Sequence, residues 1–381
     1  MFPITDPSRA ADIRMRRRRA VWLLLGTVVV PLVLVSGRSS HSGGQSGESS
    51  DFHIALPSFT ISSDDANQIH VALQQIPDMA RLAWMVQGAP LPDGRRDASA
   101  LSATGHKLAI DLPCAQSIAV VPKSDLGDRI YASTLDGSPV QEAGLELRGG
   151  DQDGGRVTLG GTCRHGGTDV VVQASPSTAL FLTLNGGTSL RTGGFSGPVR
   201  LVQRGGGDAV IDAARGLDVE KSGGGSLVVG HVDDGLHLVL RGGGDATING
   251  GHIDHAEISL DGDGDLHFGP DAHIGALSLV MHGGGDVAIS HLDGSAGIEA
   301  AGSGDVAIAD IGAGDVHLSS AGSGDISIAS GSIGRLEAEM RGSGDLAVQA
   351  VIGDAHVRAG SASDISLPHV RGRLDRSTSD E

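Results

Sequence analysis

The chain has 381 residues, a formal charge of −18 and 60 glycines, close to one residue in six against an ordinary ~7%. Three lysines (Lys107, Lys123, Lys221) and few aromatic rings leave little for phosphate neutralisation or base stacking, which excludes a nucleic-acid partner. An apolar content of 39% excludes a disordered chain and no Gly-X-Y period exists, so Val, Ile, Leu and Ala must build the core almost alone.

Arg16–Arg19 precede an apolar run, AVWLLLGTVVVPLVLVS, from Ala20 to Ser36. Basic residues before such a run keep the N-terminus in the cytoplasm and send the rest across the membrane. The run spans about 26 Å as a helix, at the lower limit for a ~30 Å bilayer core and long for a signal peptide. The reading is residues 1–19 as a basic cytoplasmic segment, with Met15 as an alternative start, and 20–37 as a signal peptide or transmembrane helix. The body then lies in the periplasm on an inner-membrane anchor, or is secreted to the cell envelope if the signal is cleaved. Beyond residue 38 the net charge is −23, which repels anionic lipid and attracts cations.

Residues 38–50 (RSSHSGGQSGESS) are a flexible linker. Residues 51–144 read as a cap or small mixed domain. Ala66–Met85 has helical character broken at Pro77, and short strand-like runs follow at Lys107–Leu112, Ile118–Val121 and Arg129–Ala132. A solenoid needs its open end covered against edge pairing. The two cysteines, Cys114 and Cys163, flank the start of the repeats; in an oxidising compartment they pair as a disulfide, otherwise they are buried thiols.

The motif Gly-x-Gly-Asp then recurs, ending at Asp208, Asp245, Asp265, Asp286, Asp305, Asp325 and Asp345, with degenerate copies at Ser226 and Asp364. The steps are 18, 19, 20, 21, 19, 20, 20 and 19 residues, and echoes reach back to Thr188, Asp169 and Asp151. Apolar residues alternate before the glycines (Leu238, Leu240; Ile258, Leu260) and after the Asp (Ala246, Ile248; Leu266, Phe268), with a third column at Val232, Ile253, Ile274, Leu292, Ile311, Ile333 and Ile352. Period two means strands with one face inward. No unit buries these residues alone, but stacking does. The spacing predicts an all-β parallel β-helix, a β-solenoid of about eleven ~20-residue coils over residues 145–370, followed by a polar tail at 371–381. Glycine suits a corner that needs φ > 0, and each Asp is expected to bond to N–H groups of its own turn. The other reading of the Asp column is a cation ladder.

The repeated GSGD and GGGD, each followed by an alternating apolar strand, resemble the GIN domain, a head domain attributed to auto-transporter adhesins. The resemblance covers residues 145–370. It implies an exported, β-helical envelope protein that adheres to something, and brings no catalytic residues with it.

Two further constellations stand out. His231, His252, His273 and His291 precede the third apolar column on four successive coils, each with an Asp two positions away (Asp233, Asp254, Asp271, Asp293). Imidazole and carboxylate at that density suit Zn²⁺ or another divalent cation; the plainer reading is a solvated turn column copied by duplication. Lys221 sits at an inward position beside Gln203, where later coils have Leu240 and Leu260, on the coil whose corner Asp is Ser226. That suggests a polar pocket or a local register shift. No unique carboxylate pair, P-loop or Ser/His/Asp set appears, and Phe268 is the only aromatic after residue 200. The sequence therefore points to a non-enzymatic, adhesin-like envelope protein that binds a surface, a partner protein or a glycan and needs no cofactor. The alternatives are a divalent-metal-binding envelope protein and a β-helix polysaccharide-active enzyme.

Overall fold

The computed structural model describes residues 88–113, 115–161 and 167–378. The expected N-terminal segments (1–19, 20–37, 38–50), residues 51–87, Cys114, Cys163 and the last three residues of the tail lie outside the described residues, and with them the anchor and the disulfide. Among the described residues no helix is long and apolar enough to cross a membrane.

The described chain is almost wholly β. Each coil has a leading strand, a Gly-rich corner and a trailing strand. Leu217–Ser222, the corner at 223–226 and Leu227–Val232 are one example. Leading strands stack in parallel, so Leu217 pairs with Leu236, Leu236 with Ala256, Ala256 with Leu277 and Leu277 with Ala296. The same column continues through Val316, Leu336, Ala355 and Leu374. Trailing strands stack likewise, Leu227 on Ala246, Leu266, Val287, Val306, Ile326 and Leu346. Inward residues of both ladders, with Ile253, Ile274 and Leu292 between them, are almost fully buried as far as Ala355 and Leu346, whereas Leu374 on the last strand is 43% exposed. At about 1.5–3 kcal/mol for each buried aliphatic side chain, this continuous apolar column is what holds coils that could not fold singly.

The solenoid has about ten turns, which follow one another in chain order from Ala179–Asn185 onward. Below them the order departs from the sequence reading, which put the repeats at 145–370 and a cap at 51–144. Lys107–Leu112 pairs in parallel with Ala179–Asn185 on one side and Arg156–Gly161 on the other. Ala115–Pro122 does the same between Ser189–Phe195 and Thr168–Ala174. Residues 107–122 thus form a coil interposed between two coils that are neighbours in sequence. Its corner passes through Pro113 and has no Gly-x-Gly-Asp, so a search for the motif misses it.

The rest of the cap is antiparallel. Arg129–Thr134 pairs with Thr168–Ala174, Leu101–Thr104 with Arg129–Thr134, and Leu145–Gly150 with Arg156–Gly161. Reversing strand direction ends the parallel stack and covers its edge. The echo at Asp151 is not a coil corner. It closes the last of these hairpins, where Gly154 and Gly155 take left-handed φ of 62° and 72°.

The corner glycines have two different reasons. Gly242 has φ 143°, which an L side chain rarely adopts. Gly322 is not among the residues with positive φ, yet a Cβ there would collide with the Gly302 carbonyl of the coil below. Close stacking of backbones, rather than φ, fixes glycine in the later GSGD corners. A Cβ on the middle residue Gly243 meets nothing within 4 Å, which is why Ser303, Ser323, Ser343 and Asp263 occupy that place in other coils.

Candidate functional site

The corner carboxylates stack, and they accept hydrogen bonds from coil to coil. Asp265 N–H donates to Asp245 Oδ1 at 3.0 Å, and Asp286 N–H to Asp265 Oδ1 at 2.8 Å. The pattern repeats from Asp305 to Asp286, Asp325 to Asp305 and Asp345 to Asp325, ending with Asp364 N–H on Asp345 Oδ1 at 3.0 Å. At the other end Ser226 N–H donates to Asp208 Oδ1 at 2.8 Å. Each Asp carbonyl also accepts the N–H of the residue after the previous corner, as Asp325 O does from Val306 at 2.9 Å. The column is a strap between coils. Replacing Asp325 by Ala removes the acceptor for Asp345 N–H and is expected to cost about 0.5–2 kcal/mol by urea unfolding, by analogy with helix caps. Asp325→Asn keeps an oxygen there and should retain most of it, with or without divalent cations. A loss seen only in the presence of such cations would instead indicate a cation ladder.

The histidines form a shorter column than the spacing suggests. His252 pairs with His273 and His273 with His291, with ring centroids 5.3 and 4.9 Å apart and the second pair stacked at 7°. His231 is opposite Gly250 instead, because the chain lengthens around Gly250 and Gly251. It reaches Asp233 of its own coil, Nε2 to Oδ1 3.2 Å. Asp233 accepts the His252 N–H at 3.4 Å, and Asp293 lies 3.3 Å from His273 Nδ1. Asp271 pairs in register with Gly250, and Asp254 directly precedes His255. Among the described residues no group of three or more His, Cys, Asp or Glu side chains is placed to hold a metal ion.

Lys221 and Gln203 are in register with Leu184 and Leu240, so no shift explains them. They form a polar cluster inside the apolar column, with exposures of 3% and 1%. Lys221 Nζ donates to Gln203 Oε1 at 2.8 Å and to Gly207 O at 3.0 Å. Gln203 Nε2 donates to Gly207 O at 2.8 Å and Thr188 O at 3.1 Å. Burial pushes the ammonium down to about 8, with the charge of Asp208 opposing the shift. The cluster is sealed, so its role is internal.

The outer side of the leading strands carries a feature that the motif search passes over. One column of outward side chains runs Arg200, Asp218, His237, Glu257, Ser278, Gly297, His317, Glu337, His356 and Asp375 on consecutive coils. Its members bridge coil to coil. Arg200 is 3.4 Å from Asp218, His237 Nδ1 3.0 Å from Asp218, His317 Nδ1 3.1 Å from Glu337 and His356 Nδ1 3.3 Å from Asp375. Where the column shrinks to Ser278 and Gly297 the surface dips into a hollow of about 450 Å³, rimmed by Glu299, His317, Glu337 and His356. A second hollow of about 460 Å³ lies on the same face beside Phe181, Arg200, Asp218 and His237. The signal was in the sequence: it is the ~20-residue comb of the inward columns, displaced by one residue.

A stack of parallel coils with a continuous apolar interior, a hydrogen-bonded corner strap and its varied polar chemistry on the outside defines a β-solenoid scaffold. Residues 236–350 and 277–379 match the family model described as "Putative auto-transporter adhesin, head GIN domain", so the likeness to that family lies in the coils between residues 236 and 379. No curated protein matches the chain. Solved structures similar to it include a putative adhesin from Bacteroides fragilis NCTC 9343, with 15% identity over 73% of this chain and 96% of that one and a TM-score of 0.29. Another is a putative adhesin from Parabacteroides distasonis ATCC 8503, with 14% identity over 75% and 98% and a TM-score of 0.32.

Proposed function

We propose that the chain is an exported, non-enzymatic binding protein of the cell envelope, adhesin-like, which engages a surface, a partner protein or a glycan through the outer face of its leading strands. The observation that carries this reading is the dipped face between Phe181 and His356, where charged and imidazole side chains from successive coils are half-exposed around two shallow hollows. The match of residues 236–379, which carry most of that face, to the GIN head model supports it. An enzyme would need one carboxylate pair unlike the rest, whereas the corner Asp residues share one bonding pattern from coil to coil. The apolar run after Arg16–Arg19 supports placement of the body outside the cytoplasm. Capture of envelope components by the full-length protein tests the reading. Binding should weaken when Glu299 and His317 are both replaced by Ala. Capture that is indifferent to that change, or none at all, would overturn it.

The stacked imidazoles of His252, His273 and His291 favour a second reading, binding of a divalent cation. Millimolar divalent cations are expected to raise the melting temperature modestly by screening a body of net charge −23. Stoichiometric micromolar Zn²⁺ binding, lost in the His252→Ala, His273→Ala double variant, would put the second reading first.

A further inference from the structure

We propose that the partner of the leading-strand face is a second copy of this chain, bound face to face with the two solenoids antiparallel. The inference rests on the binding reading above and names its partner. The outward column is self-complementary when reversed about the midpoint between Glu257 and Ser278. Arg200 then lies opposite Glu337, Asp218 opposite His317, His237 opposite the hollow at Gly297, and Glu257 opposite Ser278. Basic meets acidic at the two ends, and a ring meets a missing side chain nearer the centre. These groups are available: Arg200 is 50% exposed, Glu337 46%, His317 61% and His237 43%.

The parallel arrangement fails on the same residues. It would set each coil against its own copy, with the outward column opposite its neighbour two residues along. Asp218 would face Glu220 and Glu337 would face Glu339. Like charges in such positions cost several kcal/mol in a close interface, which counts against the parallel pair. The area is sufficient. From Phe181 to His356 the column makes nine ~4.8 Å steps, and with a strand width near 20 Å it covers on the order of 800 Å² per copy, about what a stable dimer needs. In such a pair the N-terminal ends point in opposite directions, the geometry of one molecule gripping another from a facing surface.

The test is sedimentation of the full-length protein in non-ionic detergent at micromolar concentration. The wild type should be dimeric at low salt and dissociate as salt rises. Arg200→Glu and Glu337→Arg should each weaken association about ten-fold or more, and the double variant should restore it, because the opposed pair is then inverted rather than lost. A single cooperative thermal transition would show that the variants fold, with a small loss of stability expected because Arg200 and Glu337 each bridge to a neighbouring coil. A monomeric wild type, a dimer unaffected by either single change, or a double variant that stays monomeric would overturn the proposal. If the wild type is monomeric yet still captures envelope components in a way that depends on Glu299 and His317, the binding reading stands and only the self-association falls. If it does neither, both fall.

Discussion

Gly322→Ala should collapse the stack locally, with a loss of about 3 kcal/mol or more in urea unfolding, whereas Gly243→Ala should change stability by no more than about 1 kcal/mol and in the favourable direction. Both are glycines of Gly-x-Gly-Asp corners, and ordinary propensity would rank them alike. The difference lies in the coil below. A Cβ on Gly322 would be driven into the carbonyl of Gly302, and Gly302 stacks in the same way on Gly283, so relief means moving a backbone that is itself stacked. A Cβ on Gly243 meets nothing within 4 Å. That substitution mainly reduces the freedom of the unfolded chain. Equal losses in the two variants would show that close backbone approach is not what selects glycine in the motif.

The second large effect concerns the buried amine. Lys221 is held at about 8, below its ordinary 10.5, so between those values the folded chain carries fewer protons than the unfolded one. Stability then rises with pH across that window, and the penalty for the buried charge is fully present below about pH 8. The gain from pH 7 to pH 10.5 should be on the order of 3 kcal/mol, at 1.36 kcal/mol for each pKa unit. Lys221→Leu, which continues the column of Leu184 and Leu240, should flatten that slope. Gln203→Leu should do the reverse at pH 7 and cost about 3 kcal/mol. It removes the oxygen that accepts from Lys221 and the two bonds donated to Thr188 and Gly207, all inside the apolar column. Unfolding curves at pH 7, 8.5 and 10 for the three proteins decide the matter. A wild type whose slope matches that of Lys221→Leu would mean that the amine is hydrated.

The coil was legible because inward side chains alternate along each strand and recur at 18–21 residues, so Leu238, Ile258 and Leu279 reveal one column without any knowledge of what faces them. Corners were legible as positions, and less so as chemistry. The sequence places Asp325 after Gly324 but does not say that its oxygen reaches up to Asp345 rather than back into its own turn. That choice depends on the separation of coils, which is a property of the stack. His231 shows the opposite limit: constant spacing from the apolar column suggested alignment with His252, and two inserted glycines moved it aside. The outward ladder from Arg200 to Asp375 was written in the same comb, yet polar side chains at a surface carry no burial pattern to draw attention to them.

The interposed coil makes the folding order of this chain differ from its synthesis order. In the later coils a leading strand meets its neighbour about 20 residues on, a short loop to close. Leu108 must instead find Val157 on one side and Leu180 on the other, 49 and 72 residues away. Contacts that distant form slowly, and here they form only when both flanking coils exist. The strand made early is therefore completed late, and the coils from residue 179 onward can assemble upon one another while it waits. Once Lys107–Leu112 is enclosed it also acts as a bolt. Its withdrawal would open ladders on both of its sides at once, so the capped end cannot fray one coil at a time as a plain solenoid end does.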